Sequence, residues 1–183
     1  MTVASSKKAT VTLPSDTQIL ITREFDAGKH LVYKAWTTPE LVTRWWSGQR
    51  GKTTSAEIDL RVGGKWRYVM VANGGFEVAF HGEYREIVPN ERIVSTEVYE
   101  GAPDGQSVNT TTLTEKNGRT TLALVMQLPQ QGDARHDHRH RHGGRHARVF
   151  RPPRRGRDLA ALNQEAWTTG TSLPVVRLQP AST

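Results

Sequence analysis

The chain has 183 residues, no cysteine and a formal net charge of +7, a length that suits one domain with a core of its own. Without cysteine there is no disulfide framework, no thiolate metal site and no Cys nucleophile, and no apolar run approaches the ~20 residues of a membrane-crossing helix. The basicity is local: residues 1–132 hold 15 Lys+Arg against 14 Asp+Glu, whereas 133–183 hold 10 against 4 and five of the seven histidines, so the charge does not describe a nucleic-acid-binding domain.

Residues 1–16 (MTVASSKKATVTLPSD) lack the apolar segment of a secretory signal. Their Ser, Thr and Lys content reads as a flexible lead-in, and a cytoplasmic location is expected. Thr17–Phe25 (TQILITREF) alternates apolar and polar residues, as a strand does. Asp26 is placed to cap a helix over AGKHLVYKAWT, in which Leu31/Ala35 and Val32/Trp36 are one turn apart. A second helix starts at Thr38-Pro39 and turns Leu41, Val42, Trp45 and Trp46 to one side. The period then becomes two. Strands are expected near 53–60, 64–72, 76–88, 91–99, 107–115 and 119–128, separated by the turn sequences VGG, NGG, VPNE, GAPDGQ and KNG. One strand, two short helices and six strands in hairpin order describe an α+β domain around a curved antiparallel sheet.

Such a sheet must cover its apolar face. Trp66, Tyr68 and Met70 share a face, as do Phe76, Val78, Phe80 and Tyr84 with a bulge near Gly82, and so do Leu122, Leu124, Met126 and Leu128. Two helices of about ten residues, roughly 15 Å each, are too short to cover six strands. A long helix belongs after Pro129, where the sequence instead becomes DARHDHRHRHGGRHARVFRPPRRGRDLA.

The segments REFDAGKHLVYKAWTTPELVTRWW, EIDLRVGGKWRYVM, HGEYREIVPNERIVSTEVYE and TLTEKNGRTTLALVMQLP resemble the activator-of-Hsp90-ATPase-homologue-like family, within the START/Bet v 1-like superfamily. The resemblance covers residues 17–129. It implies a helix-grip fold, in which a long C-terminal helix closes over the concave sheet and a small apolar ligand lies between them. One departure is Gly28, where the family has Pro after Asp-Ala; this loosens the start of the first helix. The family name further implies a protein-interaction module acting on a chaperone-type partner, and superfamily relatives include cyclase- and hydrolase-like enzymes.

The genetic code bears on residues 133–183. Read from the second base of each degenerate codon, His before Gly, Ala or Asp becomes only Met or Thr, and His before Arg or His becomes only Ile or Thr. One allowed reading of residues 134–157 is RDMIIATGMEAGMRESFDRLDEVA, an amphipathic helix similar to the family's closing helix. The tail is therefore read as out-of-frame translation beginning near Gln130 to Gly132, and as disordered in composition. Losing about six buried apolar side chains removes on the order of 10 kcal/mol, comparable to the ~5–15 kcal/mol of a whole domain. The expectation is a marginal fold with an exposed concave face that aggregates or dimerises through it, unless a helix over 159–169 substitutes. The alternating histidines of HDHRHRH lack a fixed carboxylate or Cys partner and sit among arginines, so no metal or cofactor is assigned. The arginines can hold phosphates only weakly and without sequence preference.

Candidate ligand-binding residues are Trp45, Trp66, Tyr68, Phe80, Tyr84 and Met126, a mostly apolar lining of the kind small-molecule pockets use; the alternative is that they fill the core. Trp45 and Trp46 cannot both face inward in the same way, and one is expected to rim the cavity mouth. No catalytic residue is assigned. His30 should face solvent, His81 should share an outer face with Glu83 and Arg85, and Glu57 and Asp59 belong to an exposed strand face. RVGGK and ANGGF are hairpin turns rather than phosphate loops. An enzyme would need a buried ionisable group in the cavity, and the sequence shows none.

Overall fold

The computed structural model describes residues 9–129. The expectations for 133–183 (tail disorder, the lost closing helix and a substitute at 159–169) lie outside the described residues. Eight strands and two helices follow in chain order: β1 Thr10–Ser15, β2 Gln18–Phe25, α1 Lys29–Thr37, α2 Pro39–Val42, β3 Gly51–Ile58, β4 Lys65–Ala72, β5 Glu77–Val88, β6 Arg92–Tyr99, β7 Gln106–Lys116 and β8 Arg119–Gln127. They form one antiparallel sheet in the order β1-β2-β8-β7-β6-β5-β4-β3. β8 lies beside β2, the two being third and second from the β1 edge, while β3 to β8 run as successive hairpins.

Local chemistry sets the hairpins. Between β7 and β8, Asn117 and Gly118 both have positive φ (53° and 72°) and link the paired residues Lys116 and Arg119; this two-residue Asn-Gly loop matches the twist of the flanking strands. Asn90 (φ 64°) makes the corresponding turn between β5 and β6. Bulges between Thr53 and Ser55 and between Tyr84 and Glu86 add bend and twist to the far half of the sheet.

Four sequence expectations differ from this structure. Residues 10–15, within the expected lead-in, form edge strand β1, paired to β2 through Val11 and Ile21. The bulge expected near Gly82 lies after Tyr84, and Gly82 is a regular partner of Trp66. Phe76 is outside β5 and 48% exposed, so it does not join Val78, Phe80 and Tyr84. Asp26 does not cap α1. Its carboxylate pairs with Arg119 at 2.8 Å, and the N-cap position falls to Gly28 without a side-chain hydrogen bond. The cap comes from elsewhere in the fold: the Lys29 N–H donates to Glu115 Oε2 on β7 at 2.8 Å, which also places a carboxylate at the positive end of the helix. The Thr120 hydroxyl donates to the Ala27 carbonyl at 2.6 Å and ties the β2–α1 link to β8.

The core has two clusters. Ile19, Ile21, Phe25, Val32, Leu113, Leu122, Leu124 and Met126 pack where β2, β7 and β8 meet α1. Val42, Trp46, Trp66, Tyr68, Met70, Val78, Phe80, Tyr84, Ile93 and Tyr99 pack where β4, β5 and β6 meet the residues after α2. Among the described residues no helix is long and apolar enough to cross a membrane.

Candidate functional site

Between the two clusters the concave face holds a cavity of about 80 Å³. Trp36 from α1, with Trp45 and Trp46 from the turn after α2, forms one wall. Trp66 and Tyr68 of β4 and Tyr84 of β5 form the facing wall. The floor is polar: Ser95 and Glu97 of β6 with Asn109 and Thr111 of β7, bordered by Ile93 and Leu124. Strand register explains this floor. Tyr84 is opposite Ser95, Ser95 opposite Asn109, Asn109 opposite Met126 and Met126 opposite Ile19. One row of inward side chains thus passes from phenol through hydroxyl and amide to thioether and alkyl.

The paired tryptophans separate by burial. Trp46 is buried, edge-on to Tyr68 and Phe80 at 5.4 and 5.7 Å between ring centroids. Trp45 is half-buried and stacks on Trp36 at 4.3 Å, while its indole N–H donates to the Ala35 carbonyl at 2.9 Å. That bond fixes the ring against α1 and leaves its face to the cavity wall.

Four of the six candidates, Trp45, Trp66, Tyr68 and Tyr84, line the cavity. Phe80 and Met126 do not. Phe80 lies beneath Trp46 and against Tyr99, 5.1 Å between centroids, and Met126 is packed into the aliphatic cluster. Trp46, in the turn after α2, covers Phe80, and Met126 is enclosed by the aliphatic cluster although Leu124 on the same strand reaches the lining. The sequence reading also missed the polar floor, including Glu97, a half-buried carboxylate in the lining. The expectation that the cavity lacks an ionisable side chain is therefore corrected.

Burial governs the phenols. The Tyr68 and Tyr84 phenols are close enough that each influences the other's proton. Desolvation lifts the Tyr68 phenol well above its ordinary range, and the charge of nearby Glu97 lifts it further. Burial likewise pushes Tyr84 up to about 12. Both are neutral hydrogen-bonding groups at physiological pH. Among the lining residues, Trp66 Nε1 and Asn109 Oδ1 are buried polar atoms with no hydrogen-bond partner. Trp66 is 5% exposed and Asn109 8%. Gly82 lets the indole lie this close to β5, because a Cβ there would stand 2.8 Å from Trp66 Nε1 and 1.9 Å from the Thr96 carbonyl oxygen.

The residues set aside as surface groups are outside this site. His30, Glu57, Asp59, His81, Glu83 and Arg85 are exposed. His81 joins a cross-strand cluster on the outer face, where Arg67 grips Glu100 through two hydrogen bonds of 2.7 and 2.9 Å and His81 Nδ1 lies 3.3 Å from the same carboxylate. The Arg67 hydrogen bonds, with a smaller part from His81, hold Glu100 below its ordinary pKa. Among the described residues no group of three His, Asp or Glu side chains is arranged to hold a metal ion.

Solved structures share this architecture. A Chromobacterium violaceum protein is 29% identical, with a TM-score of 0.58 over 63% of this chain and 81% of its own. Proteins from Rhodobacter sphaeroides (24% identity, TM-score 0.61, 66% of this chain and 78% of that one) and Mycobacterium smegmatis (24%, 0.60, 67% and 80%) share the fold. No curated protein matches the chain. The family described as activator of Hsp90 ATPase homolog 1-like protein matches residues 26–148, starting later than the resemblance drawn from the sequence at 17 and running beyond its end at 129. With most of the chain matched, it belongs to the activator of Hsp90 ATPase homolog 1-like family.

Proposed function

We propose that the domain binds a small, largely aromatic ligand in the cavity between the concave sheet and its helices. The observation that carries this reading is the pair of buried polar atoms without partners, Trp66 Nε1 and Asn109 Oδ1, both on residues that line an aromatic cavity. A buried donor or acceptor without a partner costs about 1–3 kcal/mol, and a core selected only for stability would avoid both. A bound molecule supplies what the protein leaves unpaired. The exposed large apolar residues favour this reading over a protein-docking one. Among the described residues Leu13 is on β1, Leu60 and Val62 are in the β3–β4 turn, Val71 is on β4, Phe76 is in the β4–β5 turn and Val88 ends β5, so they are scattered over five parts of the fold.

The size of the cavity, about 80 Å³, against the ~150 Å³ of an engineered cavity that holds benzene, suits one ring or the end of a longer molecule. Titration with benzyl alcohol, whose hydroxyl can pair with one of the two unpaired atoms, followed by tryptophan emission, should give a saturable change. Ser95→Phe places a ring at the middle of the polar row and should abolish the change while the protein still unfolds cooperatively. A response that survives this substitution would place the ligand elsewhere and defeat the proposal. The proposed out-of-frame origin of residues 133–183 bears on whether this chain retains the activity, because the closing helix belongs to that part of the family fold. Sequencing the gene across codons 128–135 tests it: a neighbouring frame that does not encode a Met- and Ile-rich helix rejects the slip.

A further inference from the structure

The two lining atoms that the fold leaves unpaired differ in kind, and that difference describes the ligand; the inference rests on the ligand-binding reading above. Trp66 Nε1 can only donate, whereas Asn109 Oδ1 can only accept. Both belong to side chains more than nine-tenths buried, and both residues line the cavity. They are also set apart. Trp66 is on β4 and Asn109 on β7, with β5 and β6 between them in the sheet. Their backbones are three strand spacings from one another, roughly 14 Å along the sheet. Ser95 of β6, opposite both Tyr84 and Asn109, stands between the two sides. The donor is thus on a wall and the acceptor on the floor. Ser95 and Thr111 can each give or take a hydrogen bond, so they accommodate a ligand without dictating its chemistry.

We propose that the ligand is a neutral aromatic molecule with an acceptor at one end and a donor at the other, the hydroxyaryl ketones being the simplest class. Its ring lies between the aromatic walls, its carbonyl takes the Trp66 N–H and its hydroxyl donates to Asn109 Oδ1. A carboxylate offers acceptors only and leaves Asn109 unpaired. An ammonium offers donors only and leaves Trp66 unpaired. A hydrocarbon serves neither atom, and a one-ended alcohol serves one of them at a time.

The full-length chain is titrated by calorimetry at pH 6, where the probe phenols are un-ionised, with 4-hydroxyacetophenone, with acetophenone, which lacks the donor end, and with 4-ethylphenol, which lacks the carbonyl. The two-ended compound should bind about tenfold more tightly than either analogue. Asn109→Val should remove its preference over acetophenone and keep that over 4-ethylphenol. Trp66→Phe should do the reverse. The wild-type ranking decides the question even if a variant does not fold. An affinity for 4-hydroxyacetophenone no better than for the analogues, or preferences unmoved by both substitutions, overturns the two-ended assignment and leaves the cavity reading intact. No saturable binding of these three compounds or of benzyl alcohol, or binding that survives Ser95→Phe, overturns both.

Discussion

The two halves of this core are built from different chemistry. Around α1, β2 and β8 the buried side chains are mostly aliphatic, with Phe25, Ile21, Val32 and Leu122 fully enclosed. The buried charge on this side, Arg23 of β2, lies 5.5 Å from the centre of the Phe25 ring. Around β4, β5 and β6 the packing is aromatic, and its border with the first half, on β6 and β7, is a strip of Ser95, Glu97, Asn109 and Thr111. The aliphatic half closes on itself, whereas the aromatic half surrounds a cavity and leaves two polar atoms unpaired. On the ligand-binding proposal, stability and binding fall to different halves of one core, and substitutions in the two halves should behave in opposite ways.

The largest effect is expected in the aliphatic half. Leu122 is fully buried beneath α1, and Leu122→Ala should cost about 2–5 kcal/mol through lost burial and the hole it leaves. Denaturant unfolding measures this loss. A cost below about 1 kcal/mol would mean that this half is not the anchor of the fold.

Alkaline pH probes the aromatic half. Tyr84 ionises near 10 when unfolded and is pushed up to about 12 in the fold. A raised folded pKa means that the native state holds the proton longer. Its contribution is fully present below pH 10 and is lost as pH rises through 12, on the order of 2–3 kcal/mol for a shift of this size. Tyr84→Phe should flatten the fall in stability between those pH values, and an unchanged slope would show that burial of this phenol is unimportant.

The sharpest contrast is Asn109→Val. Deleting a buried side chain normally destabilises, but this one removes an oxygen that lacks a partner, and valine suits a strand. Stability should rise by about 1 kcal/mol while affinity for benzyl alcohol, a donor to Asn109 Oδ1, falls. A loss of stability would show that the Asn109 amide supports the fold rather than the ligand.

The residues differ in how far the sequence revealed these roles. Strands β2 to β8 announce themselves through period-two alternation and turn residues such as Asn117-Gly118. β1 does not: from Thr10 to Ser15 only Val11 packs against the core, no side chain is fully buried, and Pro14 interrupts the run. The aromatic walls were legible because Trp66, Tyr68 and Tyr84 are large apolar residues at even spacing. The polar floor was not. VNTTTLTE places Asn and Thr on both faces of β7, and only the parity of Leu113 reveals that Asn109 and Thr111 point inward. Counting forward by two from Ile93 finds Ser95 and Glu97 in the same way. That β7 reaches back to α1 through Glu115 was beyond reach, because the bond joins residues 86 positions apart.

That contact bears on the smallest prediction, at the aliphatic end. Gly28 precedes α1 with φ −64° and ψ 151°, a conformation proline adopts without strain. A glycine here has many more unfolded conformations to lose than a proline would. Gly28→Pro should therefore stabilise by about 0.4–1 kcal/mol through the unfolded state. The nearest obstacle to added carbon is the ring of His30 at 3.0 Å, an exposed side chain that can turn away. A Cβ would stand 3.4 Å from Glu115 Oε2, an ordinary van der Waals contact, so Glu115 can keep its bond to the Lys29 N–H. Ligand affinity should stay unchanged, since Gly28 is not part of the cavity lining. A thermal shift upward with equal affinity upholds the division between the two halves. A change in benzyl alcohol binding would mean that the start of α1 sets the position of Trp36, and that the halves are coupled through that helix.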